Sequence, residues 1–178
     1  MTARPQARVA ERWIHLLQGE CQVTDDPCVG ITTTLGSCVA ACMRDPVALV
    51  GGMNHFLLPE CDGADDSTSL RYGANAMELL VNGLLRAGAR RERLETKLFG
   101  GGRLADGLVD IGARNADFAR QYLHREGIRL LGGSVRGTHA RRIQFWPVSG
   151  RVRQLALAAA PKISAARLSD SAGSVELF

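Results

Sequence analysis

The succession of apolar and polar positions divides the chain into short extended runs and two helical ones. Cys28 to Met43 reads as extended: CVGITTT is β-branched and bounded by turn residues, LGS interrupts it, and CVAACM resumes the apolar run. A turn at Arg44-Asp45-Pro46 follows. VALVGGMNHFLLP then reads as a buried strand with Gly51 and Gly52 in its middle, where glycines mark a bulge or a close backbone approach. Leu94 to Phe99 is a further strand closed by Gly100-Gly101-Gly102, and Ile128 to Leu131, Arg141 to Trp146 and Arg151 to Leu155 alternate with Gly and Pro turns as strands. Between them, Ala76, Met77, Leu80, Leu84 and Leu85 repeat at helical spacing as far as Gly88. Ile111 to Glu126 predicts a second helix, with Ala116, Ala119, Tyr122 and Leu123 inward and Gly127 ending it.

Strands, helix, strand, helix, strands is the order of a layered α/β domain. There is no regular βαβ alternation and no GxGxxG, which disfavours a dinucleotide fold. The domain is expected over residues 24–156. Residues 1–23 read as a lead-in, with a helical turn or two over Val9 to Leu17 before the break at Asp25-Asp26-Pro27. Glu60 to Ser69 reads as a polar acidic loop, and 157–178, rich in small and polar residues, as a flexible tail.

Composition narrows the function. The net charge of +4 is mild, and no aromatic platform or basic recognition motif accompanies it, so nucleic acid is not expected as a partner. An acidic protein partner suits that charge better. Arg86, Arg90, Arg91, Arg93 and Lys97 form a basic stretch that could steer such a partner, although a solvated helix end is the plainer reading. The five cysteines are odd in number and follow no secretory leader pattern. No apolar run approaches the roughly 18 residues a bilayer span needs. A cytoplasmic protein with reduced thiols, without membrane insertion and without a disulfide framework, is the expectation.

Two segments carry candidate chemistry. Gly36-Ser37-Cys38 places a cysteine on a tight bend between two apolar runs, where small neighbours admit a substrate and backbone N–H groups can face an oxyanion. A buried cysteine acting as a small hydrophobe is the alternative, and it suits Cys42 better. His55 lies within an apolar strand, where an imidazole must find a polar partner. Residues 38 and 55 are 17 apart, a separation that neighbouring strands joined at Arg44-Asp45-Pro46 can close. A hydroxyl of Thr32-Thr33-Thr34 could orient the imidazole, as the third member of a triad does, although β-propensity alone explains such a run. A zinc site from Cys38, Cys42, His55 and Cys61 is disfavoured because no C-x₂-C pair exists. Cysteine proteases and transglutaminases usually separate their cysteine and histidine by far more chain.

Taken in order, TTTLGSCVAACMRDP, GGMNHFLLP, RYGANAM, KLFGGG, IGARN and RRIQFWPVSGRV closely resemble the chemoreceptor glutamine deamidase family, CheD, across roughly residues 24–153. The resemblance implies an α/β layered sandwich, similar in its core to the deamidase domain of cytotoxic necrotizing factor toxins. It implies conversion of glutamines on methyl-accepting chemotaxis receptors to glutamate by a Cys-His-Thr triad and a thioester, with no metal or other cofactor. The nucleophile maps to Cys38 and the histidine to His55. The threonine six residues before the cysteine maps to Thr32, here the first of three, where family members often carry one threonine followed by Gly or Leu. Gly36, Ser37 and Asn54 are candidates for oxyanion or substrate positioning. Receptor cytoplasmic helices are the implied substrate. An adaptor docking to receptors or to a CheC-type CheY-phosphate phosphatase is the alternative role, and glutamyl methyl ester cleavage a conceivable side activity.

Overall fold

The structure is a computed structural model and describes residues 12–59, 67–104 and 110–157. Its strands are β1 (Arg12–His15), β2 (Cys21–Thr24), β3 (Val29–Leu35), β4 (Val39–Asp45), β5 (Val50–Asn54), β6 (Glu95–Gly100), β7 (Arg129–Val135), β8 (Arg141–Trp146) and β9 (Arg151–Ala156). Helix α1 (Ser67–Arg86) follows β5, and α2 (Ile111–Arg125) follows β6. One sheet runs β1-β3-β8-β9 and the other β2-β5-β4-β6-β7.

Alternation along the strands builds the layers. In β4, Val39, Ala41 and Met43 face the helices, where they meet Met77, Leu80, Leu84, Ala119 and Leu123. Ala40 and Cys42 face the other way, into a second core shared with Ile31 and Leu35 of β3, Ile143 and Phe145 of β8, and Met53 of β5. The result is a three-layer α/β sandwich of sheet, sheet and helices, the layered class that the residue pattern predicts. Each helix turns its predicted apolar stripe inward: Met77, Leu80 and Leu84 on α1, and Ala116, Ala119, Tyr122 and Leu123 on α2, are buried. Asp110 caps α2 by accepting from the Ala113 N–H at 2.9 Å.

Gly51 and Gly52 are where layers close on one another. A Cβ on Gly51 would sit 2.4 Å from the carbonyl oxygen of Pro147, in the turn after β8 of the facing sheet, and one on Gly52 would sit 2.5 Å from the Gln22 carbonyl oxygen of neighbouring β2 and 3.0 Å from Leu80 Cδ1 of α1. These two glycines are spent on internal packing and line no open groove.

The segment read as a lead-in holds two strands. β1 pairs in parallel with β3, and β2 antiparallel with β5. Val9 to Leu17 therefore contains a strand where local periodicity predicts helical turns. The Arg12 N–H donates to Cys28 O and the Leu16 N–H to Thr32 O, each at 2.9 Å, so pairing with β3 overrides a weak local preference. Of the loop read over Glu60 to Ser69, Ser67, Thr68 and Ser69 instead open α1, and 60–66, with Cys61, lie outside the described residues, as does the tail beyond 157.

Asp45 closes the turn between β4 and β5. Its buried carboxylate accepts from the N–H groups of Val47, Ala48 and Arg90 and from the Arg93 guanidinium at 2.8–3.0 Å. These donors outweigh burial and pull its carboxyl down to about 2. A carboxyl held low in the fold stabilises it above the unfolded value, and that contribution fades as pH falls towards about 2. Replacing Asp45 with Ala leaves three backbone donors and a guanidinium unpaired and should cost about 2–3 kcal/mol in urea unfolding at neutral pH. The wild type should lose this advantage between about pH 4 and pH 2, so a variant whose urea midpoint tracks the wild type at every pH contradicts the role.

Candidate active site

The Gly36–Cys38 bend lies where the chain leaves one sheet, at the end of β3, and enters the other at β4. Its carbonyls are tied down in turn. Gly102 N–H donates to Gly36 O at 2.8 Å, the Asn115 carboxamide to Ser37 O at 2.9 Å, and Gly101 N–H to Cys38 O at 2.7 Å. Gly100 at φ +103° and Gly101 at φ +65° adopt backbone that favours glycine, and a Cβ on Gly100 would lie 2.1 Å from Cys38 O. The glycine triplet at the end of β6 is thus a seat beneath the bend. With its carbonyls held, the bend leaves the Cys38 N–H on the sulfur side, where it favours the thiolate.

Asn115 of α2 is a buried clasp. Besides donating to Ser37 O, it accepts from the Leu58 N–H at 2.9 Å, so one side chain joins the cysteine bend to the chain beyond His55. Sequence reasoning gives it no role. The only trace is its place in IGARN, one of the segments that carry the family resemblance.

His55 follows β5, and its strand stays paired to β4 through Val39 and Phe56, which exchange two backbone hydrogen bonds of 2.9 Å. In that register Cys38 and His55 are diagonal neighbours on one face, a relation that puts their Cβ atoms roughly 7 Å apart. Cys38 packs against the core between the sheets, and His55 reaches from the same side to β3.

The hydroxyl that meets His55 belongs to Thr33. Its Oγ1 lies 2.8 Å from His55 Nδ1 and donates to Leu16 O at 2.7 Å. Thr32, the position that the family pattern points to, instead donates to Ile143 O at 2.8 Å. Strand alternation is the reason: Ile31, Thr33 and Leu35 point between the sheets, and Thr32 points to the opposite face. Thr34 is exposed.

A threonine hydroxyl has one proton. Thr33 commits it to Leu16 O, so its oxygen accepts from His55 Nδ1–H. The unprotonated ring nitrogen is then Nε2, which is buried and without a hydrogen-bond partner among the described residues. Burial depresses the His55 pKa, opposed by the Leu16 carbonyl and the Glu20 carboxylate, which favour the charged ring.

Asn54 does not face the sulfur. Its Oδ1 accepts from the Ala41 N–H at 3.0 Å and its Nδ2 donates to the Ala76 carbonyl of α1 at 2.9 Å, which turns the carboxamide to the helical side. The alternation that sends Phe56 to the helices sends Asn54 there too. Gly36 and Ser37 enter the site through the backbone of the bend. Leu104 packs over Gly36, within 2.5 Å of where its Cβ would stand.

Cys38 is half-buried, and its thiol donates to Gln18 Oε1 at 3.4 Å. Desolvation raises its pKa, partly offset by its own N–H. Burial thus disfavours the charged form of both groups, the Cys38 thiolate and the His55 imidazolium. Cys42 is fully buried beside the Met53 sulfur at 3.5 Å, and burial pushes its thiol far up, as befits a small core hydrophobe. Of the basic stretch, Arg91 pairs with Glu126, Arg93 with Asp45, and Lys97 donates to Gly150 O, so these three side chains serve the fold.

Among the described residues no group of three or more His, Cys, Asp or Glu side chains is placed to hold a metal, and no helix is long and apolar enough to cross a membrane. The arrangement is a thiol, an imidazole with a free nitrogen on the same face, and a hydroxyl fixing that ring.

Comparison with known proteins identifies the family. The family model described as CheD chemotactic sensory transduction matches residues 57–155. A protein of Caulobacter sp. strain K31 is 60% identical over 142 residues, covering 79% of this chain and 76% of its own. One of Rhizobium meliloti strain 1021 is 56% identical over 153 residues, covering 83% and 82%. One of Acidiphilium cryptum strain JF-5 is 54% identical over 178 residues, covering 94% of each chain, a span that takes in positions 38 and 55. All three are described as probable chemoreceptor glutamine deamidases, CheD. On the strength of these matches, the chain belongs to the CheD family.

Proposed function

We propose that this protein is a cytoplasmic glutamine deamidase of chemotaxis receptors, with Cys38 as nucleophile, His55 as base and then acid, and Thr33 holding the imidazole. The observation that carries this reading is the 2.8 Å contact of Thr33 Oγ1 with His55 Nδ1, which leaves Nε2 unpartnered on the face that Cys38 shares. The names of its relatives supply the substrate class.

Chemistry follows from that geometry. Nε2 takes the thiol proton as Cys38 Sγ attacks the side-chain carbonyl carbon of a substrate glutamine. The carbonyl π pair moves to oxygen, beside the N–H groups of the bend. Collapse breaks the C–N bond, and the proton on Nε2 leaves with ammonia. A thioester remains. His55 then draws a proton from water, which attacks the thioester and releases glutamate and the free thiol. The charged ring formed at each stage rests near the Glu20 carboxylate and the Leu16 carbonyl, both of which favour it. Leu104, 57% exposed, packs over Gly36 of the cysteine bend, and Leu17, 66% exposed, precedes Gln18; both are apolar footholds for an amphipathic receptor helix.

Three outcomes test the proposal. Mass spectrometry of a receptor cytoplasmic fragment should show amide-to-acid conversion with wild type and none with Cys38→Ala; conversion by the variant removes the mechanism. Thr33→Val should lower kcat about tenfold, the worth of one lost hydrogen bond at the transition state. Thr32→Val should spare kcat and cost about 1 kcal/mol of stability, so the reverse pattern would return the role to Thr32. Burial keeps His55 neutral below the usual histidine value of about 6.5, and only the neutral ring accepts a proton. The acid limb of kcat/KM should therefore fall below that pH, and a limb above it contradicts the assignment.

A further inference from the structure

Gln18 plays no part in the Cys-His-Thr scheme, yet its carboxamide is the group the Cys38 thiol donates to, at 3.4 Å. It sits on the turn between β1 and β2, whose backbone is held throughout. Leu16 N–H donates to Thr32 O at 2.9 Å, Leu17 N–H to Glu20 Oε2 at 2.8 Å, Gly19 N–H to His55 O at 2.7 Å and Glu20 N–H to Leu17 O at 3.1 Å. The same turn carries the Leu16 carbonyl that accepts from Thr33. One rigid segment thus fixes the imidazole through Leu16 and presents an amide to the sulfur two residues later. The Gln18 side chain itself is exposed.

The other two side-chain amides near the site are committed at both ends. Asn54 bonds to Ala41 N–H and Ala76 O, and Asn115 to Leu58 N–H and Ser37 O. Gln18 engages the sulfur through its oxygen, which leaves its NH₂ end as the one side-chain amide donor beside the sulfur, among the described residues, not already spent on backbone.

We infer that Gln18 is a further catalytic residue, whose side-chain N–H stabilises the Cys38 thiolate and then the oxyanion of the substrate carbonyl. This rests on the deamidase reading above. When the thiol proton passes to His55 Nε2, the sulfur changes from donor to acceptor, and a carbonyl oxygen facing it becomes repulsive. Half a turn about the terminal torsion exchanges Oε1 for Nε2 within the same volume, and that torsion is soft. The amide therefore serves the resting thiol with one end and the thiolate with the other. Once the C–S bond forms, the negative charge moves to the substrate oxygen, two bonds from the sulfur, and the same N–H turns to it. Gln18 gives a hydrogen bond only; its own covalent structure is unchanged, and the proton and electron movements remain those between Cys38, His55, substrate and water.

The experiment uses the full chain with Gln18→Ala and Gln18→Glu. Receptor deamidation is followed kinetically. Separately, the pH dependence of iodoacetamide alkylation at Cys38 is read by mass spectrometry of the peptide that contains it, without substrate. Gln18→Ala should lower kcat about 10²-fold, the usual loss for one oxyanion donor, with KM within about threefold. Gln18→Glu keeps an acceptor, loses the donor and adds negative charge, so the alkylation midpoint should rise by about one pH unit. An unchanged or raised kcat in Gln18→Ala, as expected if the side chain merely occupies the place of the substrate glutamine, overturns the inference. A loss confined to KM, or an unmoved alkylation midpoint in Gln18→Glu, does the same. If Cys38→Ala deamidates the receptor like the wild type, the deamidase reading fails instead, and the alkylation shift still reports on the contact of Gln18 with the sulfur.

Discussion

A short relay of hydrogen bonds, His55 Nδ1–H to Thr33 Oγ1 and Thr33 O–H to Leu16 O, is the constraint on which the rest of the site depends. Its three members come from different strands or their ends. Leu16 follows β1, Thr33 lies in β3 of the same sheet, and His55 follows β5 of the facing sheet. The relay therefore ties the two sheets together with a polar link at the edge of an otherwise apolar interface. Because a carbonyl only accepts, the direction of every proton in it is determined from the Leu16 end. The tautomer of His55 is a consequence of that direction, and with it the unprotonated Nε2 of a ring on the face that Cys38 shares.

The cysteine is positioned by a second set of constraints. Its bend is where the chain crosses from one sheet to the other, and Gly101, Gly102 and Asn115 hold the bend's three carbonyls. Asn115 also grips Leu58, three residues beyond the histidine. The positions of Cys38 and His55 are thereby coupled through one buried carboxamide. This rigidity suits a site that must act on a side chain of another protein, where positioning errors of an ångström cost rate. Burial acts in the same sense on both groups, disfavouring the thiolate at Cys38 and the imidazolium at His55.

Much of the fold was legible in the residue pattern, for identifiable reasons. α1 and α2 show a clean helical stripe, and their boundaries fall within a few residues of the glycines and caps that end them. CVGITTT and CVAACM read as two strands split by LGS because β-branched and small apolar residues flank a glycine bend. The relation of residues 38 and 55 followed from the Arg44-Asp45-Pro46 turn, which pairs their strands antiparallel. β1 and β2 were not legible. Each is four residues long and owes its form to partners in β3 and β5, which local periodicity does not report. The family spacing points to Thr32, whereas the hydroxyl that meets His55 is that of Thr33, because spacing counts along the chain while the side chain's face alternates along it. Thr33 shares its face with Ile31 and Leu35, both deep in the core between the sheets, and that parity was visible in principle. Asn54 is the mirror case: it shares a face with Phe56 and so belongs to the helices. Gln18 could not have been found, since nothing in LLQGE says that its turn lies against the cysteine bend.

The most direct test of this account is the ¹⁵N NMR spectrum of the His55 ring in the free protein near neutral pH. The relay predicts a neutral ring with a pyrrole-type, protonated Nδ1 and a pyridine-type, unprotonated Nε2, and it predicts that Thr33→Val shifts this balance. A ring protonated at Nε2 instead, or one already carrying both protons at that pH, would contradict it.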